Sequence, residues 1–327
     1  MVISSSVKAL CQQRGIIVFD WIGMKLYQYA FKAMGTPCEI QLYGSVKSEV
    51  SRVAEAAIAD VRRLEAVYSR YRDDSFLAEI NRVAVNGGSI EVDSETAGLL
   101  DYAEACYCAS DGLFDITSGI LRQAWNFKSG QLPNEQTIRS LLDRVGWDKV
   151  RWLAPYLEFP VAGMEIDLGG VVKEYATDRA ASICWERGVQ NGMVNLGGDI
   201  KIIGPHVDGS PWKIGIRHPR QLETVLHTLA LHTGALASSG DYERCITIDG
   251  IRYGHVLNPK TGWPVKKMAA VSVVGDFCVV AGSASTIGML KDEKAKDWLN
   301  ILGLPHLWVN VSGEAGGTLI DTGQNQH

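Results

Sequence analysis

The sequence predicts a single α+β domain in which an antiparallel-rich sheet is flanked by helices. Apolar residues recur at helical spacing mainly before residue 190, whereas short strand patterns follow one another after that point. No proline- or serine-rich linker divides the 327 residues. Segregated helices and consecutive strands are typical of α+β folds rather than of a doubly wound parallel sheet.

Local patterns place the individual elements. Residues 25–43 predict two strands around a break at Met34-Gly35-Thr36-Pro37, since glycine and proline interrupt strands. Residues 46–68 predict an amphipathic helix, and we expect Ser75 and Ser94 to cap the helices that follow them. Further helices are predicted at 94–110, 135–144 and about 171–188, and further strands at 149–159, 192–204, 211–217, 226–232, 235–238, 244–249 and 268–275.

The charge balance argues against two classes of partner. The formal net charge is −5, the calculated isoelectric point is about 5.8, and no run of Lys and Arg stands out. A nucleic-acid-binding protein presents a basic surface, and membrane-surface binding commonly uses a polybasic segment. We therefore expect neither a nucleic-acid partner nor a polybasic membrane anchor.

The ends of the chain and the cysteines complete the domain prediction. Residues 1–23 hold two interrupted apolar pieces, too short for a signal peptide core or a membrane span. We expect these residues to be an N-terminal extension with Met24 as a candidate start, residues 24–320 to form the domain, and residues 321–327 to fray. The seven cysteines are scattered without a CxxC pair, which favours reduced thiols and a cytoplasmic location.

Common catalytic and nucleotide-binding motifs are absent from the sequence. It contains no GxxxxGK[ST], no GxGxxG after a strand, no HExxH and no GxSxG. A P-loop, a Rossmann dinucleotide site, a zinc protease and an α/β-hydrolase are therefore not indicated.

Two glycine-rich turns carry flanking carboxylates instead. In Asp167-Leu168-Gly169-Gly170, the pattern predicts a strand end, a glycine turn and a helix start, with Asp167 and Lys173 on either side. Backbone N–H groups at a helix N-terminus can bind a phosphate. The second turn, Asn195-Leu196-Gly197-Gly198-Asp199, lies between two predicted strands. Taken alone, both segments are explained by ordinary tight turns.

Three further segments offer polar groups suited to catalysis. His255 precedes a turn signal and has the right chemistry for a general base, although a histidine before a turn is commonly structural. Ser239-Gly240-Asp241-Tyr242-Glu243-Arg244 lies shortly before it. The hydroxyl-rich segment 281–286 offers oxygen ligands for Mg²⁺, and simple helix capping is the alternative explanation.

In this order, the segments resemble the ApbE family, the FAD:protein FMN transferases. The similarity extends from about Tyr29 to Leu304. It is carried by MGT at 34–36, YRDDSFLAEIN at 71–81, GLFDITSGIL at 112–121, DLGGVVKEYATD at 167–178, VNLGGDI at 194–200, IGIRHP at 214–219, SGDYER at 239–244, HVLNPKTGWPV at 255–265 and AGSAST at 281–286.

The resemblance implies an FAD cleft in a single domain and a role for each matching residue. It implies Mg²⁺ contacts from the backbone carbonyl of Gly170 and from Thr286, and it implies that His255 is the base. The implied reaction transfers the FMN part of FAD to a threonine hydroxyl of a client protein and releases AMP. The FAD contacts implied by the family are Met34, Tyr71, Leu113, Phe114, Asp115, Asp167, Lys173 and Leu257.

The sequence departs from the family pattern at three positions. Gly282 stands where the family usually has an aspartate, four residues before the metal threonine, and Asn258 also replaces an aspartate. Glu174 stands where the family usually has glycine. The missing carboxylate at position 282 leaves three candidates for compensation: the hydroxyls of Ser283 and Ser285 and the carboxylate of Glu174.

Two alternative functions remain open at this point. An FAD pyrophosphatase would use water in place of the threonine. A non-catalytic FAD-binding protein would lack the metal-dependent step, and Gly282 favours that alternative. Four residues favour the catalytic functions: His255, Asp167, Lys173 and Thr286.

Overall fold

An antiparallel sheet lies at the centre of the fold in a computed structural model that describes residues 23–321, except residues 128 and 243, and omits the side chains of residues 222 and 321. Its strand order is β1-β2-β6-β7-β10-β13-β14-β15, with antiparallel pairing throughout. These strands are β1 (Lys25–Ala33), β2 (Thr36–Gly44), β6 (Gly192–Leu196), β7 (Asp199–Gly204), β10 (Gly234–Gly240), β13 (Met268–Gly275), β14 (His306–Asn310) and β15 (Ala315–Gly316).

Smaller sheets surround this central sheet. In the described part of the chain there are three of them, formed by β3-β5-β4, β8-β9 and β11-β12. Their strands are β3 (Gly88–Glu91), β4 (Arg151–Leu153), β5 (Tyr156–Phe159), β8 (Trp212–His218), β9 (Gln221–Leu231), β11 (Cys245–Ile248) and β12 (Ile251–Gly254).

The helices of the described residues pack mainly on one face of the central sheet. They are α1 (Lys47–Tyr68), α2 (Phe76–Asn86), α3 (Ser94–Ala109), α4 (Glu135–Leu142), α5 (Val172–Glu186), α6 (Cys278–Lys291), α7 (Ala295–Leu302) and α8 (Thr318–Asp321). Short 3₁₀ helices span Ile116–Gln123, Trp147–Lys149 and Asp292–Lys294. None of the helices in the described ranges is long and apolar enough to cross a membrane.

Alternating side chains of the central strands pack on opposite faces of the sheet. In β13, Val271 and Val273 pack towards α6, whereas Ala270 packs with the β8–β9 hairpin on the opposite face. β10 shows the same alternation between Ala237 and Leu236. Successive side chains of a strand point to opposite faces, so both faces are covered and α6 lies buried against the sheet.

The structure confirms the predicted class and most elements, and it corrects three details. The consecutive strands predicted after residue 190 do not all join one sheet, because β8–β9 and β11–β12 pair separately from the central sheet. The cap of α3 is Asp93, which accepts a hydrogen bond from the Thr96 N–H, so Ser94 is already helical. The cap at Ser75 is confirmed by its hydrogen bond from the Ala78 N–H.

The third correction concerns the segment before Asp167, which is not a strand. Asn81 of α2 hydrogen-bonds both the N–H and the C=O of Ile166, at 2.7 and 3.0 Å, and so takes the place of a neighbouring strand. Ile166 and Leu168 are completely buried. The pattern therefore predicted a strand where the backbone of Ile166 pairs with a side chain instead.

The predictions for residues 1–22 and 322–327 lie outside the described residues. β1 begins at Lys25, immediately after the expected domain boundary.

Candidate functional site

The two glycine turns lie next to each other and are joined by an ion pair. Lys173 is in the first turn of α5, and Asp199 is the first residue of β7. The Lys173 Nζ and an Asp199 carboxylate oxygen are 2.6 Å apart, and Asp199 is only 2% exposed. Asp167 and Lys173 flank the first glycine turn, and they do not pair with each other, because each has a different charged partner.

A third turn packs against the second one. Met34 and Gly35 connect β1 to β2 with φ angles of 51° and 73°. The Met34 N–H donates to Glu65 Oε1 at 2.5 Å, which fixes this unusual conformation for a side chain larger than glycine. A Cβ atom at Gly197 would lie 2.4 Å from Thr36 Oγ1, so glycine permits the close approach of the two hairpins.

Asp167 is held by Arg70, a residue that the sequence argument did not single out. Its carboxylate accepts a hydrogen bond from Arg70, and its Oδ1 also accepts one from the Gly169 N–H at 2.9 Å. Arg70 donates to the Tyr71 hydroxyl as well, at 2.7 Å. Arg70 directly precedes the matched segment 71–81, but its neighbouring residues give no indication that it pairs with Asp167, 97 residues away.

The Tyr71 side chain is largely exposed, at 74%. Its partial burial alone would raise the pKa of the phenol, but Arg70 and Arg244 stabilise the phenolate and lower that pKa below its ordinary value. Because Arg244 interacts with the Tyr71 hydroxyl, the end of the 239–244 segment lies close to Tyr71. An exposed aromatic ring beside two guanidinium groups suits an anionic ligand with planar rings.

The Leu113-Phe114-Asp115 segment lies beside the first glycine turn. A Cβ atom at Gly170 would lie 3.5 Å from the Phe114 ring, and Leu113 is half-buried. The Asp115 carboxylate accepts hydrogen bonds from the Thr117 N–H and hydroxyl and from the Trp147 N–H. Burial raises its pKa despite these bonds. Within the described structure, Asp115 therefore serves as the cap that positions this segment.

His255 follows β12, and the residue before it, Gly254, lies against the Asp241 of an ion pair with Arg220. Gly254 approaches Asp241 so closely that a Cβ atom there would lie 2.6 Å from Asp241 Cβ. Asp241 is 5% exposed and binds both terminal nitrogens of Arg220, at 2.5 and 2.7 Å. His255 itself is half-buried.

The turn after His255 tolerates its asparagine. Asn258 Oδ1 accepts a hydrogen bond from the Lys260 N–H at 2.9 Å, a role that an aspartate oxygen fills equally well. Leu257 forms an isolated bridge with Pro264 and packs against the cluster that contains Ile120 and Leu121. The departure at position 258 therefore leaves the turn intact.

On the expected metal side, the hydroxyls of α6 have different surroundings. Ser283 bonds to the Tyr102 hydroxyl and the Val279 carbonyl, at 2.7 and 2.6 Å. Ser285 is completely buried and donates to the Gly282 carbonyl at 2.9 Å. Thr286 is half-buried and lies 2.8 Å from the Ser239 hydroxyl. Of these three hydroxyls, only the Thr286 hydroxyl belongs to a side chain that is not fully buried.

Glu174 meets Gly282 across the α5–α6 interface. A Cβ atom at Gly282 would lie 2.4 Å from Glu174 Cγ and 3.1 Å from its Oε1. Glu174 is 7% exposed, and its Oε2 has no hydrogen-bond partner among the described residues. Burial, followed by the charge of Asp199, raises the pKa of Glu174 to about 7.

These donors suit a hard divalent cation. The described residues contain no group of three or more His, Cys, Asp and Glu side chains arranged for a metal. Mg²⁺ is usually bound through one or two carboxylates and completed by water and substrate phosphates. An orphaned carboxylate at Glu174, the Thr286 hydroxyl and the exposed backbone of Gly170 fit that requirement.

Comparison with known proteins now places this arrangement in a family. The family model described as the ApbE family matches residues 34–308. The chain belongs to the ApbE family. The ApbE match includes the predicted site residues from Met34 to Thr286.

Curated relatives of the ApbE family match this chain over most of their own length. The FAD:protein FMN transferase of Haemophilus influenzae is 28% identical over 288 residues, which cover 83% of this chain and 82% of that protein. The protein of the same name from Treponema pallidum is 28% identical over 305 residues, covering 84% of each chain.

Solved ApbE structures share the fold. The ApbE protein of Thermotoga maritima superimposes with a TM-score of 0.82 at 31% identity, covering 93% of this chain and all of that one. The flavin transferase ApbE of Vibrio cholerae gives a TM-score of 0.81 at 23% identity, covering 90% and 97%, and shows the fold alone.

Proposed function

We propose that this protein is a Mg²⁺-dependent FAD:protein FMN transferase that modifies a threonine of a client protein and releases AMP. The observation that carries the proposal is the convergence of the family's matched segments around the start of α5. Phe114 lies against Gly170, Lys173 reaches the second glycine turn through Asp199, and that turn packs on Thr36. The names of the curated relatives support the same reaction.

In the proposed FAD cleft, the predicted contacts divide according to the chemistry of their side chains. Met34, Leu113, Phe114 and Leu257 supply apolar contacts, and Tyr71 offers an exposed ring. Asp167 and Lys173 supply hydrogen bonds and charge, and Asp115 holds the 113–114 segment in place. When bound, Mg²⁺ neutralises charge on the pyrophosphate, and Gly170 and Thr286 are the residues proposed to hold it.

His255 is the proposed general base. It accepts the proton of the client threonine hydroxyl while that oxygen bonds to the phosphorus of the FMN part. The bond from this phosphorus to the bridging oxygen breaks, and the oxygen leaves with AMP. Its half-buried position beside the Asp241–Arg220 pair supports this role, since a base must be both oriented and reachable.

The direct test incubates the full chain with FAD, MgCl₂ and a threonine-bearing client peptide, then measures AMP by chromatography and peptide mass. We expect equal amounts of AMP and of peptide carrying FMN. AMP without a modified peptide would instead identify an FAD pyrophosphatase. Bound FAD with neither product would identify the non-catalytic binding protein that Gly282 favours.

The cytoplasmic location stays a prediction from the cysteine pattern. The cysteines within residues 23–321 are free thiols: Cys38, Cys106, Cys108, Cys184, Cys245 and Cys278.

A further inference from the structure

We propose that Glu174 supplies the metal-binding carboxylate of this protein, reaching from α5 into the space beside Gly282. The inference rests on the proposed function only for the identity of the metal as the Mg²⁺ used with FAD. It assigns a role to a side chain of this chain that the matched family pattern does not provide, since glycine is usual at position 174.

The Glu174 side chain and any side chain at position 282 would compete for the same space. A Cβ atom at Gly282 would lie 2.4 Å from Glu174 Cγ and 3.0 Å from its Cδ. A side chain at position 282 therefore needs the volume that Glu174 already occupies. The two departures from the family pattern are therefore sterically linked, because the Glu174 side chain takes the space that a side chain at position 282 would need.

The Glu174 carboxylate is available for a cation. Glu174 is only 7% exposed, and its Oε2 accepts no hydrogen bond from the described residues. Two carboxylates, Glu174 and Asp199, lie near one ammonium group, that of Lys173, which is 2.6 Å from Asp199. An ionised buried carboxylate without a compensating partner is costly, and a bound divalent cation compensates it.

The competing hydroxyls are less suitable. Ser283 points to Tyr102 of α3, and Ser285 is completely buried and bonded to the Gly282 carbonyl. Thr286 lies four residues after Gly282 and therefore on the same face of α6. This places the Thr286 hydroxyl one helical turn from the point that Glu174 reaches.

A metal titration tests the assignment without relying on activity. The full chain is titrated with Mn²⁺, and the free ion is measured by electron paramagnetic resonance. We expect Glu174→Gln to weaken Mn²⁺ binding about tenfold or more, as the loss of a metal-site residue commonly does. FAD binding measured in EDTA should be unchanged. Mn²⁺ affinity within about twofold of the unmodified protein would overturn the assignment.

Asp178 provides a matched control on the same helix. Its carboxylate oxygens accept hydrogen bonds from the Cys278 and Val279 N–H groups, at 2.8 and 2.9 Å, and so cap α6. Asp178→Asn should lower the melting temperature and leave Mn²⁺ affinity unchanged. Equal weakening by Asp178→Asn and Glu174→Gln would show that the loss comes from the helix interface and would overturn the assignment.

An exchange of positions gives a second test. Glu174→Gly alone should lose Mn²⁺ affinity, and the double variant Glu174→Gly with Gly282→Asp should regain most of it. No regain over the single variant would count against the inference. If Mn²⁺ binding depends on Glu174 but the unmodified protein transfers no FMN, the metal site stands and the proposed function fails.

Discussion

Lys173 and Asp199 form an ion pair of 2.6 Å that ties the N-terminus of α5 to the β6–β7 hairpin. The pair joins the two glycine turns that stood out in the sequence, although 26 positions separate them. It also fixes the direction of Lys173, one of the residues proposed to contact FAD.

The Lys173–Asp199 pair should matter for both stability and FAD binding. Asp199→Asn keeps the size of the side chain and removes its charge. We expect a loss of about 1.5–3 kcal/mol in the free energy of unfolding, the range for hydrogen bonds to charged groups, moderated by the 28% exposure of Lys173. Urea unfolding and an FAD titration measure the two effects. Unchanged unfolding would mean that the pair does not stabilise the junction.

The packing of the two hairpins predicts different costs at adjacent glycines. Gly197 and Gly198 have φ angles of 65° and 98°, so alanine is strained at both positions. Only at Gly197 would the new Cβ atom meet Thr36, whereas Gly198 has nothing within 4 Å. Gly197→Ala should therefore be about 1–3 kcal/mol more destabilising than Gly198→Ala, as overpacking usually costs, and thermal unfolding can compare them.

The proposed base predicts a selective loss. His255→Ala should abolish FMN transfer at neutral pH and retain FAD binding, because the imidazole acts on the client hydroxyl rather than on the flavin. A matched control is His232→Ala, at an exposed position in the β9–β10 connection. Transfer rates and FAD fluorescence separate the two effects. Full activity in His255→Ala would remove His255 from the mechanism.

The raised pKa of Glu174 predicts how the metal-free protein responds to pH. In EDTA, the folded protein keeps a proton on Glu174 up to about pH 7, whereas an exposed glutamate loses it near 4.5. The stability that this proton contributes is complete below 4.5 and declines as the pH rises towards 7. Glu174→Gln should therefore be relatively more stable at about pH 8 than at about pH 5. A constant difference in melting temperature would contradict the prediction.

Local features of the sequence specified much of the secondary structure. The apolar spacing in 46–68 predicted a helix observed at Lys47–Tyr68, and the Met34-Gly35 break predicted the end of β1. Such patterns are informative because each side chain reports whether its own position faces solvent or the core. The same logic was insufficient at Ile166, where a strand end was predicted but the backbone pairs with the Asn81 side chain.

Contacts between distant segments had no local signal. Asp178 caps α6 from 100 residues away, and Arg70 binds Asp167 across 97 residues. The spacing of neighbouring residues does not distinguish these charged side chains, because a solvent-exposed charged residue in a helix or loop has the same local sequence pattern.

The sequence by itself determined the fold class, the two glycine turns and the family, and it showed that Glu174 and Gly282 both depart from the usual pattern. Only the tertiary structure decided that these two departures belong together. A Cβ atom at position 282 would lie 2.4 Å from Glu174 Cγ, so the Glu174 side chain leaves no room for a second side chain there. The physical reason is that a closely packed interior holds only one side chain in a given space. The packing of α5 against α6 brings Glu174 into the space beside Gly282, and the sequence of neither helix shows that contact.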